Sequence, residues 1–252
     1  MPATRFAATV SYDGTAFAGS QIQPNVRTVQ KELETAVTVL FKSPTRVEMA
    51  GRTDSGVHAI GQVAAFSAET RHEAATVRKA LNANLPEDVS VRAVREVPPG
   101  FDPRRWARKR WYRYTVANGE SRDPLSRRAA WYIEGNFDLP AMQSGAQALA
   151  GTKDFSAFSG PLEPERTPVR TVFNAGWSCE NSTLLFDIEA DAFLPQMVRR
   201  IVGSLIRVGR GTATVEEIVR LLEQAEPGSL AHVAPAHGLC LQRVWYDEGY
   251  TP

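Results

Sequence analysis

The octapeptide Gly51-Arg52-Thr53-Asp54-Ser55-Gly56-Val57-His58 sets one carboxylate among small and glycine residues, two positions after an arginine. A carboxylate on a rigid, exposed turn can attack an electrophilic carbon or take up a proton. The same residues suit a tight turn in which Asp54 accepts hydrogen bonds from nearby backbone amides, so composition alone leaves the catalytic and the structural readings both open. A second constellation is cationic. Arg104, Arg105, Arg108, Lys109, Arg110 and Arg113 follow one another without an acid, and Trp106, Trp111 and Tyr112 are interleaved. Guanidinium forks beside aromatic faces fit phosphate contacts and base stacking; a solvated strand edge guarded by charge is the plainer alternative. Arginine outnumbers lysine 24 to 5 through the whole chain, so part of this run reflects composition.

The background to these groups is ordinary. Apolar residues make up 43% and charged residues 23% of 252 residues, and the net charge is +1. That balance excludes a disordered chain and a general attraction to polyanions, so any nucleic-acid surface must be local. Cys179 and Cys240 are too few for a disulfide framework and neither stands near a histidine at zinc-ligand spacing. With His58, His72, His232 and His237 also scattered, no metal is expected. No stretch approaches the roughly 18 successive apolar residues that span a membrane, and the first 19 residues lack the pattern of a signal peptide. A cytoplasmic protein is expected.

Elements that could position these groups follow from periodicity. Apolar residues alternate from Arg5 to Tyr12, giving a strand that ends at the Asp13-Gly14 turn. Val29, Leu33, Ala36, Val37, Leu40 and Phe41 recur at helical spacing behind Thr28, a candidate N-cap. Strands at 46–49 and 62–68, a helix over 74–81 and a strand over 89–97 complete a βαββαβ order, and Pro98-Pro99-Gly100 closes it. The second half reads as a strand over 110–117, a helix over 140–149, and strands over 172–179 and 184–191 joined at Glu180-Asn181-Ser182. Helices over 194–208 and 215–224 and a strand over 239–246 follow, with Pro195 expected in a first helical turn. The pattern predicts an α+β protein of two ferredoxin-like halves, 1–103 and 104–252, forming a continuous, mainly antiparallel sheet with a central cleft. On the strand over 110–117, Arg110, Tyr112 and Tyr114 share one face. On the helix from 194, Met197, Ile201 and Leu205 mark a buried face, and Arg199 and Gly203 share another, where the glycine leaves room beside the arginine.

The loop at 51–58 resembles the catalytic signature of the TruA family of pseudouridine synthases. The resemblance extends through Tyr12-Asp13-Gly14-Thr15 with Phe17 and Gly19, Thr28-Val29-Gln30, and Asn82-Ala83-Asn84-Leu85-Pro86. It continues through Phe101, Tyr112-Arg113-Tyr114, Asp154-Phe155, Arg166-Thr167, Met197-Val198-Arg199, Gly203 and His237-Gly238-Leu239. It implies the pseudouridine synthase fold and isomerisation of uridine to pseudouridine in the anticodon stem-loop of tRNA (positions 38–40), without a cofactor and by a homodimer. That reaction breaks the bond from C1′ to N1 and makes one from C1′ to C5, which needs a carboxylate at the sugar and a base flipped out of its stack. The resemblance gives Asp54 that role, as nucleophile at C1′ or as base at the 2′ proton. It gives Arg52 the space the base vacates, Tyr112 the stacking ring and Arg199 a pairing with the catalytic carboxylate. Arg166 and Arg170 are weaker candidates for phosphate contact.

The chain departs from the family pattern at Ser20, where many members carry tryptophan, at Leu194-Pro195-Gln196, and at Cys240. These bear on substrate contacts and leave the catalytic acid untouched. Two other classes compete. A non-catalytic RNA-binding module of two RRM-like units shares the βαββαβ order, but its third strand should carry stacking aromatics, which Gln62-Val63-Ala64-Ala65-Phe66-Ser67 does not. An aspartic protease needs a second carboxylate triplet and an all-β fold.

Overall fold

The alternation at the start of the chain becomes strand β1 (Thr4–Tyr12), followed by α1 (Val29–Phe41), β2 (Glu48–Met49), β3 (His58–Ala68), α2 (Ala74–Asn84) and β4 (Val89–Val97). This computed structural model describes residues 3–162, 167–224, 232–247 and 250. The chain divides into two units, 1–108 with 241–252, and 109–240. In the first, β1 pairs antiparallel with both β3 and β4, and the two residues of β2 lie against Ala64 and Ala65 of β3. That is the split βαβ arrangement. Thr28 caps α1 by accepting a hydrogen bond from the Lys31 N–H at 3.4 Å. The helices bury Val29, Leu33, Val77 and Leu81, and the aromatic centre is Phe6 and Phe41, 5.6 and 6.1 Å from the Phe66 ring.

Strand β3 starts at His58, the last residue of the candidate loop and four residues before the expected boundary. The reason is burial on both faces: residues 61 to 66 are all buried, so the run does not alternate and Gly61-Gln62 resembles a break. Gly61 is required there, because a Cβ would stand 2.1 Å from the Gln242 carbonyl oxygen. Gln242 belongs to the closing strand β10 (Leu239–Trp245), which from Leu241 onward counts with the first unit and lies beside β3.

The second unit contains β5 (Lys109–Ala117), β6 (Trp131–Tyr132), α3 (Leu139–Gln147), β7 (Gly151–Asp154), β8 (Val169–Glu180), β9 (Thr183–Ala190), α4 (Met197–Gly209) and α5 (Val215–Gln224). Its sheet runs β5-β9-β8-β7 with antiparallel neighbours. The edge pieces β6 and β7 were not anticipated, because two and four residues with no fully buried position carry no apolar period. Helix α4 starts at Met197, three residues after the expected Leu194, because Gln196 takes the left-handed region at φ 60°. Pro195 therefore precedes the helix and does not occupy its first turn. Ten of the 13 residues of α4 are buried, which makes it the core helix of this unit.

Candidate active site

The Asp54 loop is a β-turn closed by its own main chain: the Val57 N–H donates to the Asp54 carbonyl at 3.1 Å. Gly56 supplies the positive φ, 80°, that the third position of such a turn requires. The turn anticipated from composition therefore exists, and it leaves the Asp54 side chain half-buried with Arg52 exposed beside it. Thr53, Gly51 and Ser55 around Asp54 are tied down. The Thr53 hydroxyl lies 2.8 Å from the Tyr12 hydroxyl, the Gly51 carbonyl accepts from Gln62 Nε2 at 3.0 Å, and the Ser55 hydroxyl donates to the Phe17 carbonyl at 3.1 Å. Tyr12 ends β1, and Gln62 is fully buried in β3. The last residue of the loop, His58, accepts from the Gly14 N–H at Nδ1 (3.0 Å). A carboxylate on such a frame is preorganised, as acid–base or nucleophilic chemistry requires.

Ser20, expected to concern substrate contacts alone, has a structural task. It is 1% exposed, its hydroxyl accepts from the Thr53 N–H at 2.8 Å, and its own N–H donates to the Thr53 carbonyl at 3.1 Å. Both backbone polar groups of the residue before Asp54 are thus held by Ser20. Gly19, at φ 94°, permits this approach, since a Cβ there would lie 3.0 Å from the Thr53 carbonyl oxygen. No sequence signal marks a buried serine in a loop as a clamp 33 residues away. Ser20→Ala leaves a buried N–H unpaired, so a loss of about 1–3 kcal/mol is expected. A thermal melt checks it, at roughly 2–4 °C per kcal/mol for a chain of this size.

The remaining candidates lie in the second unit. Burial alternates along β5, placing Arg110, Tyr112, Tyr114 and Val116 on the buried face. Tyr112 is 7% exposed and meets Phe193 edge-to-face, ring centroids 5.1 Å apart; Phe193, in the connection after β9, was not anticipated. Tyr114 is fully buried and its hydroxyl donates to the Pro235 carbonyl at 2.8 Å. Burial pushes that phenol well above its usual pKa, against a smaller opposing effect of the Arg199 charge, so it remains a donor. Arg199 sits on α4, where its Nε donates to the Ala234 carbonyl at 2.8 Å and its carbonyl accepts from the Ala234 N–H at 3.1 Å. The room expected at Gly203 is taken by main chain: a Cβ there would stand 2.5 Å from the His232 carbonyl oxygen.

Arg170 donates to the carbonyls of Thr167 and Val169 at 2.7 and 2.6 Å, and Arg166 lies outside the described residues. Phe66, the one aromatic of β3, is buried in the core, so β3 offers no aromatic platform for stacking RNA bases. Among the described residues, no group of three or more His, Cys, Asp or Glu could hold a metal ion, and no helix is long and apolar enough to cross a membrane.

Fold and loop together define an α+β protein with a single carboxylate on a turn whose flanks are hydrogen-bonded to β1, β3 and the segment at Phe17–Ser20. The family model for tRNA pseudouridine synthase matches residues 8–104 and 146–247. A tRNA pseudouridine synthase A of Thermosipho melanesiensis is 45% identical over 244 residues, 96% of this chain and 99% of the relative. Proteins of the same name from Roseiflexus castenholzii and Geobacter sulfurreducens are 43% and 40% identical, covering 95% and 93% of this chain and 89% and 96% of the relatives. A solved Cbf5-Nop10-Gar1 complex aligns with 94% of this chain and 58% of its own at 11% identity and a TM-score of 0.34, a likeness too distant to carry weight. The chain belongs to the tRNA pseudouridine synthase family, and so to the isomerases that act on tRNA.

Proposed function

We propose that this enzyme isomerises uridine to pseudouridine in the anticodon stem-loop of tRNA, at positions 38–40, with Asp54 as its catalytic carboxylate. The observation that carries the reading is the fixing of Asp54 on a turn whose flanks are bonded to β1, β3 and the segment at Phe17–Ser20. Glycosidic cleavage leaves an electron-poor C1′. A carboxylate held in place can attack that carbon, or take the 2′ proton, without reorganising as charge develops. In this reading the target base leaves its stack, Arg52 enters the gap and the Tyr112 ring stacks on the base. Arg199 serves as the cationic partner of the carboxylate. The enzyme works as a cytoplasmic homodimer without a cofactor.

The test uses tRNA transcripts labelled with tritium at uridine C5, a position that loses its hydrogen when it bonds to C1′. Release is expected from a transcript with uridine at 38–40, and none when cytidine replaces uridine at those positions. Equal release from both transcripts would move the target elsewhere in the tRNA. No release, with tRNA binding intact, would favour the RNA-binding module.

A further inference from the structure

The cationic run from Arg104 to Arg113 is not one surface. Arg108 forks onto Asp247, with Nη2 2.8 Å from Oδ2, Lys109 meets Glu189 at 2.9 Å, and Arg113 meets Asp187 at 2.9 Å. The interleaved rings are engaged as well. Trp106 packs edge-on against Phe101 and Tyr250, and Trp111 donates to Asp187 at 2.6 Å. Arg104 and Arg105 line a groove instead. Both are exposed, and the Asp102 carboxylate accepts from their backbone N–H groups at 2.8 and 2.9 Å, a turn that leads them along the wall of a groove of about 310 Å³. The Arg105 guanidinium stands 3.6 Å from the same carboxylate with 87% of its side chain exposed, a loose pair that leaves its fork open to a ligand.

The same groove is lined by Arg46 and Arg52, exposed cations that have no hydrogen-bond or ion-pair partner among the described residues. Its other carboxylate, Glu48, is engaged by Arg5. Four arginines from two chain segments therefore line one groove of a protein whose net charge is +1. Like charges gathered in this way repel one another, and such a cluster is a binding site for anions, because a guanidinium fork matches phosphate oxygens. The groove is continuous with the candidate loop, since Gly51 and Arg52 line it.

We propose that this groove binds phosphodiester groups of the RNA strand flanking the nucleotide presented to Asp54, with Arg46, Arg104 and Arg105 as its phosphate contacts. The proposal rests on the reading of Asp54 given above. It is tested by anisotropy titration of a labelled tRNA transcript between about 50 and 200 mM salt, the window in which phosphate contacts change affinity strongly. Arg46→Gln/Arg104→Gln is expected to weaken binding about tenfold or more at fixed salt. It should also make the dependence of log Kd on log salt shallower by about one unit for each arginine replaced. Arg46→Lys/Arg104→Lys should keep most of the slope, since the charges remain. Wild-type affinity and slope in the glutamine variant, or the same change in an Arg220→Gln control on α5, would overturn the proposal. Tritium release by the wild type reports on Asp54 separately, so a failed groove and a failed active site give different results.

Discussion

Asp54→Asn is expected to abolish tritium release from C5-labelled tRNA, lowering the rate by about 10⁴-fold or more, as removal of a sole nucleophile or base does. The amide has nearly the shape of the carboxylate but neither its negative charge nor its affinity for a proton. Its effect on the fold is expected to be small. The turn is closed by the backbone bond from Val57 to Asp54, and the flanks are held through Thr53, Gly51 and Ser55. Stability should therefore move by about 1 kcal/mol or less, in the range of substitutions away from core and cap, and tRNA should bind within a few-fold of wild type. Asp54→Ala should lose the same activity. Release by the asparagine variant at more than about a hundredth of the wild-type rate would remove Asp54 from the chemistry, because that loss is too small for the essential group.

Gly14→Ala carries the second large effect, and it acts from outside the loop. A Cβ at Gly14 would stand 2.1 Å from the Val57 carbonyl oxygen and 2.5 Å from its carbon. Neither side can retreat. Gly14 donates to His58 Nδ1, Asp13 accepts from the Thr15 N–H at 3.0 Å, and the Asp13 N–H is bonded to the Asp88 carbonyl at 3.0 Å. Val57 is 2% exposed and closes the Asp54 turn. A forced shift of main chain against main chain is expected to cost about 3 kcal/mol or more, the upper part of the range for overpacking. The melting temperature should then fall by roughly 6–12 °C at 2–4 °C per kcal/mol. Activity per folded molecule should fall too, since the displaced residue is the last of the turn that presents Asp54. A melt within about 2 °C of wild type would show that the segment yields at little cost.

Much of this architecture was legible in the residues. Helix α1 was marked by its apolar spacing and its Thr28 cap, and β5 by alternation that placed Arg110, Tyr112 and Tyr114 together. The start of strand β3 was hidden because burial on both faces erases the period of two, and because Gly61 answers to a main chain that passes close by. The start of α4 was hidden for a local reason: the positive φ of Gln196 interrupts a run whose apolar spacing continues through it.

The candidate site divides in the same way. The presence of one carboxylate in a glycine-rich turn is a local property, because turn chemistry depends on a few adjacent residues. The sequence by itself therefore determined the Asp54 turn, the identity of its flanking residues and the αβ order around it. The tertiary structure alone decided what holds that turn: Ser20, Tyr12 and Gln62 reach it from 33, 41 and 11 residues away along the chain. It alone decided the electrostatics as well, cancelling Arg108, Lys109 and Arg113 against distant carboxylates while gathering Arg46, Arg52, Arg104 and Arg105 in one groove. The physical reason is range. Backbone propensity acts over a few residues, whereas clamps and charge pairs form between side chains that only the folded chain brings within about 3–4 Å.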